Sequence, residues 1–160
     1  PLGLLAEYVS KIVEIEGPIH FDEIVARLRS LWGLARAGSR IRQVIESAVV
    51  VAKSRASLDG GPFYLAPGQE TVVRDRSIVS SNSLRKPEML PPAEIELAAM
   101  QIVTANFGAG VDDLVLAISR AFGFSATSAQ LREIIVRRVD ELIAVGRLVQ
   151  QAGLLVIPRP

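Results

Sequence analysis

The sequence predicts a mainly α chain of the α+β class built from two like lobes, and three observations carry that expectation. The chain has 160 residues, 49% of them apolar and 22% charged. That is enough for one ordinary domain or two small ones, and too apolar for disorder. Residues 12–58 align with residues 102–148 at a shift of 90 positions, with no gap. Each half then reads as three helical stretches followed by two short strands.

The self-alignment has nine identities in 47 pairs, where composition alone gives roughly three. They are Ile12/Ile102, Val13/Val103, Asp22/Asp112, Val25/Val115, Gly33/Gly123, Arg42/Arg132, Ile45/Ile135, Val49/Val139 and Leu58/Leu148. Pairs such as Ile24/Leu114, Leu28/Ile118, Trp32/Phe122 and Ile41/Leu131 keep the character of further positions.

In the first half, Leu5, Tyr8, Val9, Ile12 and Val13 recur at helical spacing. Gly17-Pro18 closes that helix, because proline cannot continue it. A second helix starts near Phe21 with Asp22 and Glu23 in its first turn, where the helix dipole favours carboxylates. Ile24, Val25, Leu28, Leu31 and Trp32 form its expected buried stripe, and Gly33 its stop. The third helix is the most regular, with Ile41, Val44, Ile45, Ala48, Val49 and Ala52 on one face. Leu58, an Asp59-Gly60-Gly61-Pro62 turn and Phe63-Tyr64-Leu65 read as a hairpin.

The second half repeats the order. Pro91-Pro92 opens a helix marked by Ile95, Ala98, Ala99, Ile102 and Val103. Leu114, Val115, Ile118, Ala121 and Phe122 mark the next, and Leu131, Ile134, Ile135, Val139, Leu142 and Ile143 the third. Thr127 with Gln130 reads as the capping box of that third helix. Arg147-Leu148-Val149 and Leu154-Leu155-Val156-Ile157 flank Gln150-Gln151-Ala152-Gly153 as the second hairpin.

Three helices and a hairpin in about 65 residues is the order of a winged helix, with the third helix in the recognition position and the hairpin as the wing. The expected architecture is two tandem winged-helix-like lobes, 1–67 and 93–160, joined by a connector, 68–92. The alternative is a six-helix bundle whose hairpins are mere loops. In the connector, Thr71-Val72-Val73 is a possible extra strand. Arg74 and Arg76 read either as a basic strap for phosphates or as local partners of Asp75, the second being favoured.

Composition excludes several chemistries. With no cysteine and one histidine, a disulfide scaffold, a thiolate nucleophile or a histidine-rich metal site is out of reach. No glycine-rich phosphate loop with Lys-Ser/Thr is present. His20 reads as a helix cap or turn contact, and the pairs Asp22-Glu23 and Asp112-Asp113 as dipole partners rather than metal ligands. No catalytic residue, metal ligand or cofactor site is therefore expected, and the chain is not expected to be an enzyme. No run of about 18 apolar residues marks a membrane-spanning helix; the expected place is cytoplasmic, without membrane contact. The chain begins at Pro1 without initiator Met or signal peptide, which reads as a piece of something longer.

The net charge of +1 is low for a dedicated nucleic-acid binder, so the distribution matters more than the sum. Across residues 36–55, Arg36, Arg40, Arg42, Lys53 and Arg55 face only Glu46. Across residues 128–145, Arg132, Arg137 and Arg138 are balanced by Glu133, Asp140 and Glu141. The candidate nucleic-acid contacts are therefore Arg36, Ser39, Arg40, Gln43 and Lys53 of the first lobe, with Arg74 and Arg76 of the connector. Trp32 and Phe122 are expected in the core, with stacking platforms for bases as the alternative. Val50, Val51 and Val136 fall on the polar side of the third helices, which favours docking onto protein.

Several strings carry a resemblance. They are Glu16-Gly17-Pro18-Ile19-His20 with Asp22-Glu23, Leu31-Trp32-Gly33, and Arg36-Ala37-Gly38-Ser39-Arg40-Ile41. Val73-Arg74-Asp75-Arg76-Ser77, Pro91-Pro92-Ala93-Glu94-Ile95, Phe107-Gly108 and the stretch from Leu142 to Gly146-Arg147-Leu148 join them. Together they resemble the uncharacterised domain at the carboxyl end of large bacterial superfamily I DNA helicase-like proteins. The resemblance implies an ATP-hydrolysing motor upstream and a role with DNA; it carries no functional residues to transfer. The expected function is an accessory nucleic-acid-binding module at the C-terminal end of an ATP-dependent DNA helicase-like protein, lacking the motor itself. The expected partners are DNA and other domains of that parent. The alternative is a protein-interaction or docking module of the same parent.

Overall fold

The computed structural model describes residues 1–52, 61–160 and the backbone of residues 55–56. Among them the chain is mainly helical, with six α-helices and two small antiparallel sheets. It divides into two compact units, Pro1–Thr71 and Val72–Pro160.

The first unit runs α1 (Leu2–Glu16), β1 (Ile19–His20), α2 (Phe21–Leu31), α3 (Ser39–Val51), β2 (Arg55–Ala56) and β3 (Phe63–Leu65). Leu5, Val9 and Val13 recur every fourth residue on α1, so one face of that helix is apolar and is buried. Ile24, Val25 and Leu28 of α2 and Ile45, Ala48 and Val49 of α3 meet it. Ile19, at the start of β1, closes the same core. β3 is the middle strand, with Ile19 opposite Tyr64 on one side and Arg55 opposite Leu65 on the other. His20 ends β1 and caps α2, its Nδ1 accepting from the Asp22 N–H at 3.0 Å. Lys53, Leu58, Asp59 and Gly60 lie outside the described residues.

The second unit repeats that plan at the same 90-residue spacing. Its α4 (Pro92–Asn106) and α5 (Val111–Ala121) begin and end 90 residues after α1 and α2, and α6 (Ala129–Ala144) begins 90 after α3. β4 (Val149–Gln151) and β5 (Leu154–Val156) follow. Ala109, the repeat mate of Ile19, bridges Leu155 as Ile19 pairs with β3. The β4–β5 turn is Ala152-Gly153, both at positive φ (52° and 78°), the twist that joins two strands most tightly. The core is Ile95, Ala99, Leu114, Ile118, Phe122, Leu131, Ile135, Leu142, Leu148 and Leu155 with their neighbours.

Several details depart from the expectations above. Thr71-Val72-Val73 forms no strand. The cap of α6 is Ser128 rather than Thr127: its Oγ accepts from the Leu131 N–H at 3.1 Å, while Thr127 donates to Ser119 Oγ. Most of the segment read as a connector belongs to the second unit, with Leu84, Met89 and Leu90 buried. Leu31, Trp32 and Val44, expected in the core, are 67%, 44% and 45% exposed. Val136, expected on the free face, is half-buried against the second core.

Candidate nucleic-acid interface

The candidate contacts sort by what already holds each charge. Asp22 and Arg42 are identical to Asp112 and Arg132 across the repeat, and both pairs make the same bond. Arg42 Nη2 donates to Asp22 Oδ1 at 2.6 Å, tying the first turn of α3 to that of α2. Arg132 donates to Asp112 in the same way. Arg42 also stands 5.1 Å over the Phe21 ring. This arginine, counted in the basic surplus by sequence, is spent within the fold. The signal that would have found the pair was its double recurrence 90 residues on.

Arg36 and Arg40 are different. Both are exposed, and among the described residues neither has an ion-pair or side-chain hydrogen-bond partner. Arg36 lies in the loop that leads to α3, and Arg40 in the first turn of the helix. Arg29 holds that loop by donating to the Ala35 carbonyl at 2.7 Å. Gly38 precedes α3 without a side-chain cap, and the first turn carries no acid. The amino end of a helix is its positive pole, so Arg40 there adds like charge that an anion offsets. Ser39 and Gln43 are exposed on the same stretch.

The second unit neutralises the equivalent helix. Arg132 pairs with Asp112, Arg137 with Glu133, and Arg138 with Glu96 and Glu141. Arg147, after the helix, also reaches Glu96, at 3.7 Å. The repeat mates of Arg36 and Arg40 are Ala126 and Gln130, so no cation stands where the first unit has two.

Arg76 does not stand with the candidate contacts, because the fold consumes it. Its side chain is 3% exposed, and its guanidinium clasps Glu94, whose side chain is 1% exposed, by two hydrogen bonds of 2.8 Å. The Arg74 N–H donates to the same carboxylate at 2.8 Å. The Arg76 N–H donates to the Phe122 carbonyl at 2.8 Å, and its guanidinium lies 5.3 Å over the Phe122 ring. The partner of Arg76 is therefore Glu94, eighteen residues on, and not Asp75. Asp75 instead accepts from the hydroxyl and N–H of Ser77, which hold its carboxyl below the usual carboxylate range. Arg74 is half-buried on this segment, and Lys53 lies outside the described residues.

The first unit also has an apolar groove of about 390 Å³ where α1 meets α3, lined by Leu4, Tyr8, Trp32 and Val44 among others. Among the described residues no group of three or more His, Asp or Glu stands together as a metal site. No helix among them is long and apolar enough to cross a membrane. A family model described as "Protein of unknown function (DUF3320)" matches residues 1–43, which span α1, α2 and the start of α3. No curated protein and no solved structure matches the chain.

Proposed function

We propose that the chain is an accessory nucleic-acid-binding module of a helicase-like parent, made of two winged-helix lobes of which the first contacts phosphates. One observation carries the reading. The amino end of α3 presents Arg36 and Arg40 exposed and, among the described residues, unpaired, beside Ser39 and Gln43, while the arginines of α6 are all matched by carboxylates. In helix-turn-helix proteins that part of the third helix reaches the groove and backbone. The strand order, with a short strand before the second helix paired to the last strand of the unit, supports the winged-helix assignment. In this reading DNA is the partner, the chain itself performs no catalysis and needs no cofactor, and the motor belongs to the parent.

A fluorescence-anisotropy titration of labelled duplex at several salt concentrations tests it. Arg36→Ala with Arg40→Ala weakens binding and reduces the log–log salt slope by about one to two units, one for each phosphate left without its arginine. Unchanged affinity overturns the first-lobe assignment. Exposed Val50 and Val51, at 78% and 48%, favour a second reading in which the module docks onto another domain of the parent. That reading gains if the wild-type chain ignores DNA and Val50→Asp abolishes co-purification with a purified parent fragment.

A further inference from the structure

We propose that the groove beside α3 holds an unpaired nucleobase, with Trp32 as its stacking face, so that the preferred ligand of the first unit is a single strand rather than a continuous duplex. The inference rests on the phosphate-contact reading above and names the ligand class of that face. Trp32 is the chain's one tryptophan. Its repeat mate Phe122 is fully buried, yet Trp32 is 44% exposed and lines an open groove with Tyr8 at 41% and Val44 at 45%. The core of the first unit closes without it.

The surroundings select the occupant. Arg40 precedes Val44 by four residues, so it stands one turn away on the same side of α3. Arg36 lies four residues beyond Trp32 in the loop. The acid on α3, Glu46, is about 160° round the helix from Val44 at 100° per residue. An apolar aromatic face with Arg40 one turn along the same side of α3, and turned away from that acid, complements a base and its adjoining phosphate, the pairing that single-strand sites use. A purely apolar protein segment would offer Arg40 no anion.

The test uses the intact chain and two probes, an oligothymidylate and a hairpin duplex of equal length. The oligothymidylate quenches Trp32 emission saturably, and it binds more tightly than the duplex. Trp32→Ala weakens oligothymidylate binding, read by anisotropy, about five- to a hundredfold, the range for stacking one base on an aromatic ring. Duplex affinity stays within about twofold, and Trp32→Phe restores most of the single-strand affinity because a ring is back in place. If Arg36→Ala with Arg40→Ala weakens duplex binding while emission and Trp32→Ala are silent, this inference falls and the proposed function stands. If neither probe binds, both fall. If emission shifts to the blue when the chain alone is concentrated, the groove takes a second copy and the base-binding inference is overturned.

Discussion

Arg76→Ala is the most incisive perturbation of the second unit. The variant leaves the Glu94 carboxylate 1% exposed, with the Arg74 N–H as its remaining hydrogen bond among those described above. Removing one partner of a buried pair costs about 3–5 kcal/mol, because the other charge stays in low dielectric without a counterion. Loss of the cation over Phe122 adds in the same direction. Taking about 4 kcal/mol in all and a urea dependence of about 1.5 kcal/mol per molar, the midpoint of the second unit falls by about 2.7 M. Circular dichroism across a urea series reads the midpoint, and hydrogen exchange of residues 92–106 localises the loss to α4. Arg76→Lys recovers only part, since an ammonium cannot reproduce the two-pronged bond. Arg76→Met with Glu94→Leu recovers most of the loss, because both desolvated charges are gone, and falls short of the wild-type chain by the hydrogen bond that the Arg74 N–H then lacks. A midpoint shift under about 0.5 M for Arg76→Ala, or a double variant as unstable as the single, would refute the reasoning.

Two further expectations concern the turns around that clasp. Gly33 and Gly123 end α2 and α5 at positive φ (64° and 88°), but a Cβ at Gly33 meets nothing, whereas one at Gly123 strikes the backbone of Arg76 and Ser77. Gly33→Ala costs about 1–2 kcal/mol for the left-handed backbone alone; Gly123→Ala costs clearly more and exposes residues 74–77 to exchange, and equal losses of stability in the two units, each against the wild-type chain, would count against the packing described. For Asp75, carbon-detected NMR titration reads a carboxyl that ionises below its ordinary value, and Ser77→Ala moves it back up. Since the folded value is the depressed one, this turn's contribution is present above the ordinary carboxylate range and is lost as pH falls through the depressed value; an Asp75 that titrates normally in the parent chain removes the effect.

Much of the helical framework was legible, and the reasons are local. Gly17-Pro18 ends α1, Pro91-Pro92 opens α4, and the spacing of Ile41, Ile45, Ala48 and Val49 sets the buried side of α3. The 90-residue shift carried these assignments from one unit to the other. What escaped depends on contacts between distant residues. Trp32 and Phe122 occupy one repeat position and have one apolar character, yet only Phe122 lies beneath an arginine supplied from forty-six residues earlier. The strand Ile19–His20 is too short for an alternating pattern to reveal it. Counting charges overstated the basic face because Arg42 finds Asp22 across a helix junction, which no sum along the chain can see.

The division of the chain between Thr71 and Val72 has a practical outcome. A shortened protein that starts at Ala93, the boundary expected for the second lobe from the sequence, inherits the Glu94 carboxylate but forfeits its cation. It would also strip the cover from Phe122. Starting at Val72 keeps donor, acceptor and ring in one piece, so the sensible place to sever the halves lies some twenty residues ahead of the helix that begins the second copy.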